Sequence, residues 1–343
     1  MEQVTTIGLD LAKSVFQVHG VDSAGRTVLR KTLRRGQLAP FFARLPPCLI
    51  GMESCPGAHH WARKWAAMGH SVRLIAPQFV KPYVKTHKSD AADAEAICEA
   101  VGRPNMRFVP IKTVEQQAIL SVHRVREGYV KARTALANQI RGLLAEYGIV
   151  LPVGLASLKK VPAAIGQDEA LPGAFKTLIQ MQLDHLRALQ ERIAEADAAI
   201  RHWHDENPAC QRLKAIPGVG VIAATAMVAS VGDARCFRNG RQLAAWLGLI
   251  PNQHSTGGRA KLGHITKRGD VYLRTLLIHG ARAVLRQAQD RPAAVDTWPM
   301  QLVRRRNKNI ATVALAHKNA RIIWALLAKE QRFDPTLRAT AAT

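Results

Sequence analysis

Four carboxylates in the order Asp, Glu, Asp, Asp carry the clearest chemistry in this chain. Asp10 lies at the end of the apolar run Val4–Leu11, and Glu53 at the end of the run Cys48–Ser54. If both runs are neighbouring strands, the two acids converge at one edge of a sheet. Asp90 and Asp93 open the helix-forming segment Ser89-Asp-Ala-Ala-Asp-Ala-Glu-Ala-Ile97, where a three-residue step places both side chains on one face. Four gathered acids need a countercharge. Magnesium, a hard cation that prefers oxygen ligands, supplies one, and one or two such ions stabilise the attacking and leaving oxygens of a phosphodiester. Each acid also has a plainer reading. A strand-end aspartate is commonly a turn residue, Ser89 or Asp90 can cap a helix, and Asp93 can answer the helix dipole. Lys88, next to this pair, belongs either on a phosphate or in solvent.

The elements that must position these acids read as an α/β domain over residues 1–112. Ser14–Val21 alternates in polarity, Asp22–Gly25 is a hairpin turn signal, and Thr27–Arg34 answers as the next strand. Ser71–Ala76 is a further strand, and helical patterns cover Gly36–Leu45 and Gly57–Met68. This succession of hairpin, helix and strand is that of an RNase H-like domain.

Residues 113–208 read as helical, beginning with Val114–Tyr147. In the second long helix Phe175, Ile179, Leu186, Leu189, Ile193, Ala196, Ile200 and Trp203 occupy one heptad frame, with Gln182 as its polar member. That frame predicts either a coiled coil, and so a dimer, or a long helix packed within its own domain. Residues 209–332 predict a mainly α domain, followed by a frayed tail at 333–343. Leu213–Gly220 has the form of a helix-hairpin-helix. In such a motif Gly218 and Gly220 let backbone amides approach a phosphate; a Pro-Gly turn between core helices is the alternative.

The chain has 343 residues, 48% of them hydrophobic, which excludes a disordered chain. Its net charge of +24, spread along its length, points to a polyanionic partner. No apolar run approaches the ~20 residues of a membrane span, and no signal peptide is visible. Cys48, Cys55, Cys98, Cys210 and Cys236 form no CxxC pair, as expected of reduced cysteines in the cytoplasm.

Several motifs together resemble the DEDD transposases of insertion-sequence family one hundred and ten, close to its subgroup with subterminal inverted repeats. They are Ile7-Gly-Leu-Asp10-Leu-Ala-Lys13, Met52-Glu53-Ser54, Lys88-Ser-Asp90-Ala-Ala-Asp93-Ala, Ile216-Pro-Gly-Val-Gly220, Ala245–Pro251, His254-Ser-Thr-Gly-Gly258 and Gly263–Gly269. The resemblance spans residues 4 to 330. It implies a RuvC-like first domain with Asp10, Glu53, Asp90 and Asp93 on magnesium, and a nucleophilic serine in the second domain. It also implies a noncoding bridge RNA that pairs with donor and target DNA, and dimers that join as a tetramer. Ser255 matches the serine position and Thr256 is its rival. His254 fits either a general base or a phosphate contact. Lys13, Lys88, Arg259, Lys261, Lys267, Arg268, Arg304, Arg305, Arg306 and Lys308 are expected on nucleic-acid phosphates. The resemblance places the protein in a bacterial cytoplasm, on the nucleoid. A hydrolytic nuclease that needs the acids but not Ser255 is the competing reading.

Overall fold

The computed structural model describes residues 3–85, 89–290 and 297–334. The chain divides into two compact units, one of residues 1–116 with 231–233, the other of residues 117–230 with 234–343. Lys88 and most of the tail after Phe333 lie outside the described residues.

The first unit is a six-stranded sheet. Its strands are β1 (Thr6–Asp10), β2 (Val15–Val21), β3 (Thr27–Arg34), β4 (Leu49–Glu53), β5 (Ser71–Ile75) and β6 (Phe108–Val109), in spatial order β3-β2-β1-β4-β5-β6. β1–β2 and β2–β3 are antiparallel, β1–β4 and β4–β5 parallel, and β5–β6 antiparallel. Helices α1 (Arg35–Ala43), α2 (Ala58–Ala67), α3 (Pro77–Val80) and α4 (Asp90–Val101) complete the unit. Parallel strands need cover on both faces, and the pleat of β1 and β4 shows how they obtain it. Ile7, Leu9, Ile50 and Met52 point into a core with Phe42, Trp61 and Trp65 of α1 and α2. Gly8 and Gly51, on the other face, lie under α4.

The second unit is mainly helical. It contains α5 (Val114–Ala145), whose first turn belongs to the first unit, then α6 (Leu155–Leu158), α7 (Val161–Gln167), α8 (Gly173–Glu206), α9 (Pro208–Lys214) and α10 (Val221–Val231). After these come α11 (Gly240–Trp246), a hairpin of β7 (Pro251–Thr256) and β8 (Arg259–Ile265), α12 (Val271–Gln289), α13 (Trp298–Arg305) and α14 (Lys308–Ala328). At 1.5 Å per residue, α5 and α8 are each about 50 Å long. They run antiparallel. Phe175 meets Tyr147 at one end with ring centroids 4.0 Å apart, Arg126 pairs with Asp197, and Ile119 joins Ile200 at the other end.

Of the two alternatives for the heptad frame, this arrangement is the long helix packed within its own domain. The stripe on α8 is buried against Leu136, Ile140 and Leu144 of α5 and Val161 and Ile165 of α7, so it is not an open dimer seam. Leu183, rather than Gln182, occupies the buried position, and Trp203 is only half-buried while His204 is buried. The heptad pattern reported a long helical seam correctly as to shape; its partner is in the same chain.

One buried polar network ties α5, α10 and α12 together. His123, 1% exposed, contacts Tyr272 Oη at 3.0 Å through Nδ1 and Thr225 Oγ1 at 3.0 Å through Nε2. Burial, followed by the nearby Arg126 guanidinium, lowers the His123 pKa from 6.5 to about 4. The imidazole is therefore neutral at neutral pH. Between pH 6.5 and 4 the unfolded chain takes up a proton that the folded chain refuses, so acidification through this window removes stability, by at most about 1.4 kcal/mol per pH unit. His123→Gln is expected to flatten this part of the stability–pH curve measured by urea unfolding. An unchanged slope in the variant would contradict the assignment.

Candidate functional site

Asp10 is the last residue of β1 and Glu53 the last of β4. The strands pair in parallel with Leu9 opposite Met52, so the two carboxylates leave adjacent strand ends in the same direction. Side chains alternate along a strand. Asp10 therefore shares its face with Gly8, and Glu53 shares its face with Gly51; this is the face that α4 covers. A methyl group on Gly8 would collide with the Ala94 carbonyl oxygen and lie 2.8 Å from Cys98 Cα. One on Gly51 would lie 2.7 Å from Val101 Cβ. The glycines thus let α4 lie directly on the sheet. From Gly8 to Asp10 is about 7 Å along a strand, and from Ala94 back to Asp90 is about 6 Å along a helix. The first turn of α4 consequently ends up beside Asp10.

Ser89 caps α4, its hydroxyl accepting from Ala92 N–H at 3.2 Å. This leaves the Asp90 and Asp93 carboxylates uncommitted to the capping that their position suggested. The four acids share one electrostatic neighbourhood. The Asp10 pKa is raised from 3.8 to about 6, first by burial, then by the charges of Asp93, Asp90 and Glu53. The Cys55 thiol is also pushed up, by burial and then by Glu53 and Asp10. Lys85 and Arg103, which flank α4, pair with other acids, Lys85 with Glu95 and Glu99, and Arg103 with Glu99. Among the described residues no three His, Cys, Asp or Glu side chains close into a ready-made metal shell. The donor set is nonetheless all carboxylate oxygen, and Asp93, Asp90 and Glu53 all oppose the ionisation of Asp10. That chemistry fits a hard dication.

The second chemistry-bearing segment is the β7–β8 hairpin. Thr256 pairs with Arg259 across Gly257 and Gly258, whose φ angles of 56° and 76° are the left-handed pair of a two-residue I′ turn. Every residue of β7 is exposed, Ser255 included. Gln253 Nε2 donates to Ser255 Oγ at 2.7 Å. Cross-strand partners share a face, so Ser255 lies with Gln253, Ala260 and Leu262, while Thr256 lies with His254, Arg259 and Lys261. The cationic face therefore presents Thr256, and Ser255 stands at its edge on the opposite side of the ribbon.

The other basic residues expected on phosphates, Lys88 aside, are surface groups. Lys13 and, in the second unit, Arg259, Lys261, Lys267, Arg268, Arg304, Arg305, Arg306 and Lys308 are exposed. Arg304 and Arg305 end α13, Arg306 follows, and Lys308 opens α14. Gly218 turns at φ 86° against Gly280 of α12, where a methyl group would lie 2.8 Å from the Gly280 carbonyl oxygen. Gly220 has open space beside it. Gly218 and Gly220 line a cleft of about 360 Å³ with Arg201 at the start of α10. The sequence assigns no role to Gly8, which falls inside the motif Ile7-Gly-Leu-Asp10, or to Gly51; each stands two residues before a strand-end acid.

An α/β unit that gathers acids at parallel strand ends, joined to a strongly basic helical unit, defines a protein that works on nucleic acid. Comparison with known proteins specifies it. Residues 7–149 match the model of a DEDD transposase domain, and residues 210–295 that of the transposase IS116/IS110/IS902 family. The chain is 53% identical over 337 residues to a probable family 20 transposase of Pseudomonas aeruginosa, covering 97% of this chain and 99% of that protein. It is 42% identical to the transposase for insertion sequence element IS1111A of Coxiella burnetii, over 97% of this chain and 92% of the relative. Against the transposase for insertion sequence element IS1328 of Yersinia enterocolitica the identity is 40%, over 95% and 97%. The chain belongs to the IS110/IS116 family of insertion-sequence transposases and is a DNA transposase. The match to a DEDD domain suggests dependence on a divalent metal. Among the described residues no helix is long and apolar enough to cross a membrane.

Gly8→Ala is expected to lift the first turn of α4 from Asp10 and weaken manganese binding at least tenfold by calorimetry. Gly51→Ala acts at the far end of α4, and adding Val101→Gly removes the Cβ that it would meet; that double variant is expected to bind manganese within about threefold of the parent. Equal affinities for Gly8→Ala and the parent would show that the acids do not depend on this contact.

Proposed function

We propose that this transposase cuts and rejoins DNA through a covalent 5′-phosphoserine link formed by Ser255, with magnesium held by Asp10, Glu53, Asp90 and Asp93. The first unit is read as RuvC-like, a reading supported by the sheet order β3-β2-β1-β4-β5 with an antiparallel hairpin beside parallel strands. The observation that carries the metal assignment is the field of three acids on Asp10. Asp10, Glu53, Asp90 and Asp93 would hold the magnesium, which would supply polarisation of the scissile phosphate and stabilisation of the departing 3′ oxygen. Asp10, Glu53, Asp90 and Asp93 orient the phosphodiester through that shared site.

Ser255 Oγ attacks the phosphorus, the 3′ oxygen leaves, and the serine proton passes to a base. The phosphoserine keeps the energy of the broken bond, so a 3′ hydroxyl of another strand can displace the serine and reseal DNA without ATP. Exposure of Ser255 on a glycine-turned hairpin supports this role, since its hydroxyl meets no steric barrier. Gln253 holds that hydroxyl by donating to it and leaves its own proton available for transfer. His254, on the other face of the ribbon with Arg259 and Lys261, is read as a phosphate contact.

A bridge RNA pairs with donor and target DNA and supplies sequence recognition, while the protein's exposed cations bind backbone phosphates. The net charge of +24 supports this division of labour. Homodimers join as a tetramer in which the acids of one subunit act with the serine of another. Their contacts use surfaces other than the stripe of α8 that α5 covers.

The protein, magnesium, the noncoding RNA from the element's flank and end-labelled DNA duplexes are expected to yield a denaturation-resistant protein–DNA adduct. Ser255→Ala and Asp10→Ala are expected to abolish it, by at least a hundredfold, and Thr256→Ala to retain it. Cleavage without an adduct, indifferent to Ser255→Ala, would sink the serine mechanism in favour of hydrolysis. An adduct lost only in Thr256→Ala would move the nucleophile to the cationic face of the hairpin.

A further inference from the structure

The β7–β8 hairpin is a cantilever. Every residue of β7 is exposed, and in β8 only Ile265 is half-buried. The position of Ser255 is therefore set where the ribbon joins the helical body. At that root two backbone segments press together without side chains between them. They are Trp246-Leu247-Gly248, which ends α11, and Lys267-Arg268-Gly269, which follows β8. A methyl group on Gly248 would lie 2.6 Å from Arg268 N, and one on Gly269 would lie 3.1 Å from the Trp246 carbonyl carbon while colliding with its oxygen. Thr266 N–H donates to Ile250 O at 2.8 Å, and Lys267 N–H to Gly248 O at 3.2 Å. Lys267 is held at φ 54°, a left-handed conformation that a side-chain-bearing residue adopts only where its surroundings impose it.

Arg274 closes this root. It lies on the buried face of α12, 7% exposed. Its Nη1 donates to Leu247 O at 3.0 Å and to Arg268 O at 3.0 Å, one carbonyl from each segment. A buried cation is costly unless hydrogen-bonded, and here main-chain carbonyls supply the partners. The planar guanidinium fixes the directions in which Nη1 donates to one carbonyl of each segment; a lysine is a point charge on a shorter reach.

We infer that Arg274 is a positioning residue for strand transfer, clipping the two ends of the nucleophile-bearing hairpin together so that Ser255 is held in one place relative to the helical body. The inference rests on the reading of Ser255 as nucleophile for its catalytic consequence, and on the contacts above for its structural one. Arg274 touches neither DNA nor the reacting atoms in this account; it acts through the hairpin root.

Hydrogen exchange by mass spectrometry on full-length Arg274→Lys, with Arg274→Met as the harsher change, separates the two parts. Exchange in the peptides covering residues 248–267 is expected to rise at least tenfold, while that of the buried parts of α12 and α14 stays within twofold of the parent. The single-turnover rate of adduct formation is expected to fall at least tenfold in Arg274→Lys and further in Arg274→Met, with nucleic-acid affinity within twofold of the parent. An unchanged exchange rate at the root would overturn the clip. So would exchange rising equally through α12 and α14, which marks a merely structural residue, or an adduct rate unaffected by a loosened root. If the parent chain forms no adduct at all, the serine mechanism fails, and the exchange measurement still decides whether Arg274 holds the root.

Discussion

The first unit depends on the direct contact between α4 and the backbone of β1 at Gly8. The contact requires the absence of a side chain, because the space beside Gly8 is already filled by the backbone of Ala94 and Cys98. The rest follows from periodicity. Two residues past each glycine the strand presents an acid on the same face, and four residues before Ala94 the helix presents Asp90. A sheet with period two and a helix with period 3.6 thus meet so that acids from a neighbouring strand and a helix act electrostatically on Asp10. The cost is visible in Asp10, whose ionisation is opposed by burial and by its three neighbours. A divalent cation offsets that cost and an ordinary surface does not.

The second unit places its chemistry by a different principle. Its nucleophile candidate sits on a ribbon that buries almost nothing, and a two-stranded ribbon is marginal by itself. Stability therefore comes from the root, where glycine-tight backbone packing and the Arg274 guanidinium hold both ends. The long antiparallel pair α5 and α8 contributes stiffness, since it seals its apolar stripe in cis along most of its length. A rigid scaffold carrying an exposed, root-clamped arm suits a transposase, whose DNA substrate is large.

Much of the first unit was legible in the sequence because its strands are apolar and its turn signal, Asp22–Gly25, is explicit. β6 was missed, since two residues carry no periodicity. Gly8 gave no side-chain signal, and only the packed structure shows why nothing larger fits. The β7–β8 hairpin has no counterpart in the mainly α reading of residues 209–332, because its exposed strands have no hydrophobic face to alternate. Arg274 was invisible for a related reason: its partners are carbonyls that tertiary folding brings together. The heptad of α8 was visible, but sequence periodicity reports that a seam exists and not which chain fills it. Ser255 and Thr256 are adjacent in sequence, and only the strand pairing shows that they occupy opposite faces of the ribbon.

Crystals of the chain soaked in manganese, with data collected at the manganese absorption edge, test the gathering of the acids most directly. The account predicts anomalous density in contact with Asp10 and at least two of Glu53, Asp90 and Asp93, absent from crystals of Asp10→Asn. Density confined to other residues, or persisting unchanged in Asp10→Asn, would contradict it.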